Sequence, residues 1–218
     1  MIRLLLPLLL FGLLPARLLG AADDLTTHTA PDGTPFYVLG ALPSSPRPTL
    51  LIFAAEGRKA LEESNFSEVG RLLRQEAEYL CLALDLPAHA SDQRPGEPPG
   101  LKGWRARVDR GEDFVTPFAA RISALLDHLV RTGRTDPARI AIAGTSRGGF
   151  MACQVAAREP RIGAVVAFSP VTDLPALTEF SGMEKDPLTL SLAAARLAPR
   201  LAGRPVWIVI GNHDRRVD

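Results

Sequence analysis

Cysteine occurs only at positions 81 and 153, too few to build a small domain stapled by disulfides. Cys81 falls in an apolar strand pattern and Cys153 in a helical one, so both read as small buried hydrophobes, with pairing between them left open. Histidine is almost as scarce. His28, His89, His128 and His213 are scattered, and none forms a close pair with another histidine or a cysteine, so neither a metal site nor any other cofactor is expected. An excess of charge is also lacking: 25 basic side chains face 24 acidic ones, which offers no electrostatic attraction to nucleic acid or to a lipid surface. There is no internal repeat and no sign of a second domain.

Long apolar runs are confined to the start, MIRLLLPLLLFGLLPARLLGAA. Arg3, the 11-residue apolar stretch from Leu4 to Leu14 and small residues at Gly20 and Ala22 form a secretory signal pattern, with cleavage expected after Ala22. A membrane-spanning helix needs roughly 20 apolar residues, and Pro7 and Pro15 interrupt this one. Residues 1–22 therefore read as a signal peptide and residues 23–218 as one domain, secreted or periplasmic, without membrane insertion once the leader is removed.

From residue 36 onward, short apolar runs alternate with helical patterns. FYVLGAL (36–42), TLLIFAA (49–55), YLCLALDL (79–86), RIAIAG (139–144), IGAVVAFS (162–169) and PVWIVIG (205–211) read as strands. Their near-continuous apolar character predicts a sheet covered on both faces. Parallel strands are expected over 49–54, 80–85, 139–143, 163–168 and 205–210. Helices are expected near Phe66 to Gln75, over 113–130 with Pro117 in its first turn, over 148–158, and from Leu190 to Leu201. Strands separated by helices mean βαβ units and an α/β fold with a mostly parallel sheet. The segments 87–110 and 170–187 are the least regular, and both follow strands, on the side of such a sheet where ligands bind.

IAIAGTSRGGF, residues 140–150, places Ser146 between Gly144 and Gly148 in G-x-S-x-G spacing, after a strand and before a helix. Small neighbours permit the sharp turn that exposes a nucleophilic hydroxyl, and the turn puts the N–H of Arg147 at a helix N-terminus, where it can stabilise an oxyanion. The same stretch lacks the Gly-Lys-Ser/Thr end of a Walker loop and the G-x-G-x-x-G of a dinucleotide fold. A structural turn serine is the alternative reading.

With AIAGTSRGGF, LALDLPAHASD and VWIVIGNHDRRV in view, the chain resembles the α/β-hydrolases, and among them the dienelactone hydrolase and prolyl-oligopeptidase-like branch, over about residues 36–218. The resemblance implies an α/β-hydrolase fold and a serine hydrolase acting through an acyl-enzyme on a small-molecule ester, a lactone or a short peptide, with ester or lactone cleavage favoured. It matches Ser146 to the nucleophile and Asp214, in the G-x-x-D-x-x-V pattern of Gly211, Asp214 and Val217, to the catalytic acid. Asp173, in FSPVTDL, is the reserve acid, with a cap or turn role as the alternative. Asp85 matches the strand-end aspartate that holds the following loop, and His89 reads as a scaffold residue.

Two departures from the family pattern stand out. FAAEG, residues 53–57, replaces the usual His-Gly pair, so the second oxyanion donor is expected from the backbone of Ala55 or Glu56, with Arg58, Arg105 and Arg107 as possible partners of the Glu56 carboxylate. No histidine follows Asp214 before Asp218, where the family places its base. A fragment lacking the last strand and helix, and a protein that has lost its base and serves as a binding protein, are both open at this stage. A base found elsewhere would be His89 or His213. A final strand left without its neighbour would expose a sheet edge and invite self-association.

Overall fold

A computed structural model describes residues 25–211. Seven strands form one sheet in the order β1-β2-β4-β3-β5-β6-β7. These are β1 (Leu25–Thr29), β2 (Pro35–Leu39), β3 (Arg47–Phe53), β4 (Leu80–Ala83), β5 (Thr135–Thr145), β6 (Ile162–Phe168) and β7 (Val206–Val209). Strands β3 to β7 pair in parallel, while β1 and β2 form an antiparallel hairpin at one side, joined antiparallel to β4. The five expected parallel strands are all present. The 36–42 segment is the antiparallel β2, and β1 has no counterpart in the sequence reading because LTTHT carries no apolar run.

The continuous apolar runs are split between two cores. Leu51 and Phe53 of β3, Leu82 of β4 and Ile142 of β5 face one cluster, and Leu50, Ile52, Cys81 and Ala143 face the other. Successive side chains of a strand point to opposite faces, so a strand buried on both sides must be apolar at every position. Over the first face lie α3 (Leu101–Asp109), α4 (Val115–Arg131) and α5 (Arg147–Ala156), and over the second α1 (Gly57–Glu62) and α2 (Ser64–Ala77). Helices on both faces of a mixed, mostly parallel sheet make this the α/β-hydrolase fold. Cys81 and Cys153 are free, and they belong to opposite faces, which answers the open question of their pairing. Burial pushes their thiols up to about 12 and about 11.

Two irregular segments differ from expectation. The stretch 87–110 contains α3, whose Leu101, Trp104 and Val108 are buried at helical spacing. The helix expected from Leu190 to Leu201 is instead broken into α6 (Pro187–Ser191), a 3-10 turn over Ala194–Leu197 and α7 (Ala198–Leu201). Proline at the start of each short helix lacks the N–H that would continue a longer one.

The turn from α5 into β6 is held by Glu159, which is buried and paired with Arg161 at 2.7 Å, while Arg161 reaches Asp127 of α4 at 2.6 Å. Hydrogen bonding from Arg161 holds the Glu159 carboxyl at about 2, against an ordinary value near 4.5. A carboxyl lowered on folding stabilises the fold above its unfolded value, and the gain is lost as pH falls from about 4.5 to about 2. Glu159→Gln is therefore expected to cost up to about 3 kcal/mol at neutral pH. Denaturation of both proteins across this pH range should show the difference shrinking toward pH 2.

Candidate active site

The chain leaves β3 toward β4 on one side and returns through β5 on the other, so a crevice opens at the carboxyl ends of β3 and β5, where open α/β sheets bind ligands. Ser146 stands there between β5 and α5, with φ 54° and ψ −118°, a backbone conformation costly for any residue with a Cβ. Three glycines permit the turn. A Cβ on Gly144 would lie 2.2 Å from the Gly148 oxygen, and one on Gly148 only 2.1 Å from the Phe53 oxygen. At Gly149 it would meet the Pro170 side chain at 2.9 Å. The elbow is fixed further by Ser146 N–H donating to Phe168 O at 2.8 Å, and by Phe150 and Val171 N–H donating to Ser146 O. The serine is exposed, and its hydroxyl has no hydrogen-bond partner among the described residues.

The loops after β3 and β4 are tied together around Asp85. Its Oδ1 accepts from Gly57 N–H at 2.7 Å, and its Oδ2 accepts from the Ser91 hydroxyl at 2.6 Å and from Ser91 N–H at 3.2 Å. Leu86 N–H donates to Ala55 O at 3.0 Å. Among the described residues no backbone carbonyl accepts from the N–H of Ala55 or Glu56, and the Arg147 N–H lies at the start of α5. Asp85→Asn turns one accepting oxygen into a donor facing N–H groups. It is expected to cost about 2 kcal/mol and to weaken activity, measured by denaturant unfolding and ester turnover.

The Glu56 carboxylate pairs with Lys59 at 2.8 Å and not with the three arginines proposed from the sequence. Arg58 pairs with Glu62, Arg105 with Asp109, and Arg107 with Glu97 and Asp92. A lysine one helical turn along was the nearer partner, at the three-residue spacing that helices bring together. The buried Arg107 also binds Asp92 O, and Arg121 joins Asp92, so this network fastens the 87–100 loop under the crevice.

His89 is buried against Trp104. Its Nδ1 lies 2.8 Å from Pro87 O, and a carbonyl can only accept, so Nδ1 carries the proton. Nε2 is then an acceptor, and the Arg147 guanidinium donates to it at 3.0 Å. Burial lowers the His89 pKa, opposed by the hydrogen bond to Pro87 O and reinforced by the Arg147 charge. With its lone pair committed to a cation, His89 is a scaffold residue that positions Arg147. A glycine at position 100 is required here: φ is +67°, and a Cβ would lie 2.9 Å from Arg147 Nη1.

Asp173 is half-buried in the loop after β6, and its Oδ1 is buried without a partner among the described residues. It stands at the start of the 3-10 turn over Leu174–Ala176 and accepts from Ala176 N–H through its backbone oxygen, so the cap or turn reading holds for its position while its side chain makes no cap bond. Val171 of the same loop donates its N–H to Ser146 O, which ties this loop to the elbow. Asp214 and His213 lie outside the described residues, as do residues 1–22, where the sequence pattern suggests a signal peptide. No group of three metal-ligating side chains occurs among the described residues.

The sequence model of the Prolyl oligopeptidase family matches residues 119–189, from α4 through the elbow to α6. No curated protein matches the chain. Among solved structures, dipeptidyl peptidase 4 of Porphyromonas gingivalis is similar at 16% identity and a TM-score of 0.60, over 89% of this chain and 28% of that one. A Thermus thermophilus protein is similar at 22% identity and 0.60, covering 89% and 80%. A candidate dienelactone hydrolase of Klebsiella pneumoniae is similar at 18% identity and 0.54, covering 87% and 85%. The chain thus spans little more than a quarter of the peptidase. Likeness at these identities establishes the fold, and function must be argued from the site.

Proposed function

We propose that the protein is a serine hydrolase that cleaves a carboxylic ester or lactone through an acyl-enzyme on Ser146. The observation that carries this reading is the elbow: an exposed hydroxyl, held in a costly conformation, beside N–H groups that no described carbonyl accepts from. Ser146 attacks the carbonyl carbon, and the N–H groups of Arg147 and of Ala55 or Glu56 receive the charge that develops on the carbonyl oxygen. The family pattern assigns the acid to Asp214, with Asp173 in reserve. The base is assigned to none of the described residues, since the His89 lone pair already accepts from Arg147. Cleavage of a short peptide is the nearest alternative within the same chemistry, and likeness to a dipeptidyl peptidase supports it no further than the fold.

A fluorophosphonate probe tests the nucleophile directly. Labelling mapped to Ser146 by mass spectrometry, with turnover of p-nitrophenyl acetate, is the expected result. Absence of both would favour a non-catalytic binding protein, a reading supported by the lack of any hydrogen bond to the Ser146 hydroxyl among the described residues. We propose export on the leader pattern alone, and a mature N-terminus at Asp23 is the outcome to look for by mass spectrometry.

Self-association is proposed through β7. Val206, Trp207, Ile208, Val209 and Ile210 are all exposed, with Trp207 at 70%. Such a run of apolar residues on a strand is a surface that pairs with a second copy. Trp207→Lys is expected to shift sedimentation toward the monomer.

A further inference from the structure

At the end of α5 remote from Ser146, α6, the turn after it and α7 fold over Arg158 and leave an open cavity of about 510 Å³. Arg158, Arg196 and Arg200 line it with Ser191 and the apolar Pro187 and Leu190, and no carboxylate-bearing residue is among the described lining residues. Several other guanidiniums are matched to carboxylates, as Arg107 is to Glu97 and Arg161 to Glu159. Here they are not. Arg158 Nη1 donates to Gln154 O at 3.0 Å and Gln154 Oε1 at 2.7 Å. Gln154 is itself buried and bound to Leu192 O, so Arg158 is anchored from beneath. Arg196 and Arg200 are exposed and have no ion pair among the described residues.

The nearby acids are already engaged. Asp113 attracts Arg158, but its carboxylate accepts from Val115 and Thr116 N–H and from the Thr116 hydroxyl. Asp186 caps α6 through Thr189 N–H, and Glu159 belongs to Arg161. Burial lowers the Arg158 pKa, Asp113 opposes this, and repulsion from Arg200 adds to the lowering, so the positive charges act on one another. Like charges gathered around a concave surface raise the local concentration of anions, and planar guanidiniums offer paired donors to phosphate oxygens.

We propose that this cavity binds a small organic phosphate, with the three arginines holding the phosphate oxygens and Pro187 and Leu190 contacting the organic part. The volume suits a nucleotide-sized molecule. The ten residues of α5 span roughly 15 Å between the nucleophile and this cavity. The site is therefore separate from the crevice, and the proposal stands independently of the hydrolase reading.

Isothermal titration with pyrophosphate and with adenosine monophosphate, against sulfate at matched ionic strength, tests it. Both phosphates are expected to bind at least tenfold more tightly than sulfate. Arg196→Ala/Arg200→Ala should lose at least tenfold in affinity while its melting temperature without ligand and its fluorophosphonate labelling stay unchanged. Arg196→Lys/Arg200→Lys, which keeps the charge, should retain part of the affinity. Binding of pyrophosphate that is no tighter than sulfate, or that survives in the double alanine variant, would overturn the proposal. Binding of pyrophosphate without adenosine monophosphate would overturn the part assigned to Pro187 and Leu190.

Discussion

Ser146→Ala is expected to lower ester turnover about a thousandfold or more and to abolish fluorophosphonate labelling, because removal of a nucleophile leaves only binding and oxyanion stabilisation. The fold should not register the change. The Ser146 hydroxyl has no hydrogen-bond partner among the described residues, so its loss breaks nothing, and unfolding free energy is expected to stay within about 0.5 kcal/mol of the parent. Ser146→Gly sharpens the test. At φ 54° and ψ −118° a Cβ is strained and glycine is not, so this variant should be equally inactive yet more stable by about 1 kcal/mol. Opposite movement of activity and stability at one residue is the signature of strain retained for function. Turnover surviving in the alanine variant would assign the chemistry to another residue, and no gain in the glycine variant would remove the strain argument.

Gly148→Ala is expected to act through the opposite route, destroying activity because it damages the fold. Its Cβ would lie 2.1 Å from the Phe53 oxygen, 2.4 Å from the Phe53 carbonyl carbon and 2.8 Å from Ala54 N. All three are backbone atoms at the end of a central strand, so no rotamer change relieves the contact and α5 must move away from β3. Overpacking of a core usually costs about 1–3 kcal/mol. A backbone clash at the centre of the sheet should exceed that range, at about 4 kcal/mol or more. Movement of α5 also separates the Arg147 N–H from those of Ala55 and Glu56, and a displacement of about 1 Å can cost a hundredfold in rate. Gly163→Ala is the control: the nearest atom to its Cβ is Ile140 O at 3.7 Å, an ordinary contact, and its stability should be unchanged within about 0.5 kcal/mol. Wild-type-like unfolding of Gly148→Ala by urea would show that the elbow tolerates more room than this geometry allows.

The parts legible in the sequence are those where each residue's own segment records its burial. LLIFAA and IAIAG are apolar at every position because both faces of β3 and β5 are covered there, and GTSRGG carries its glycines because backbone approaches backbone at Gly144 and Gly148 and Pro170 crowds Gly149. By the same logic α3 was available in principle from Leu101, Trp104 and Val108, but the surrounding proline, glycine and arginine obscured the period. The polar β1 hairpin strand offered no such record, since it depends on pairing with Phe36 to Leu39 and not on its own burial pattern. Tertiary structure alone decided which distant polar groups meet. The His89 lone pair went to Arg147, and Arg158 was brought to one cavity with Arg196 and Arg200 across some forty residues of chain. Hydrophobic burial repeats with the period of a single helix or strand and so is written locally, whereas an ion pair or a hydrogen bond is a choice among side chains that only the folded backbone brings within 3 or 4 Å.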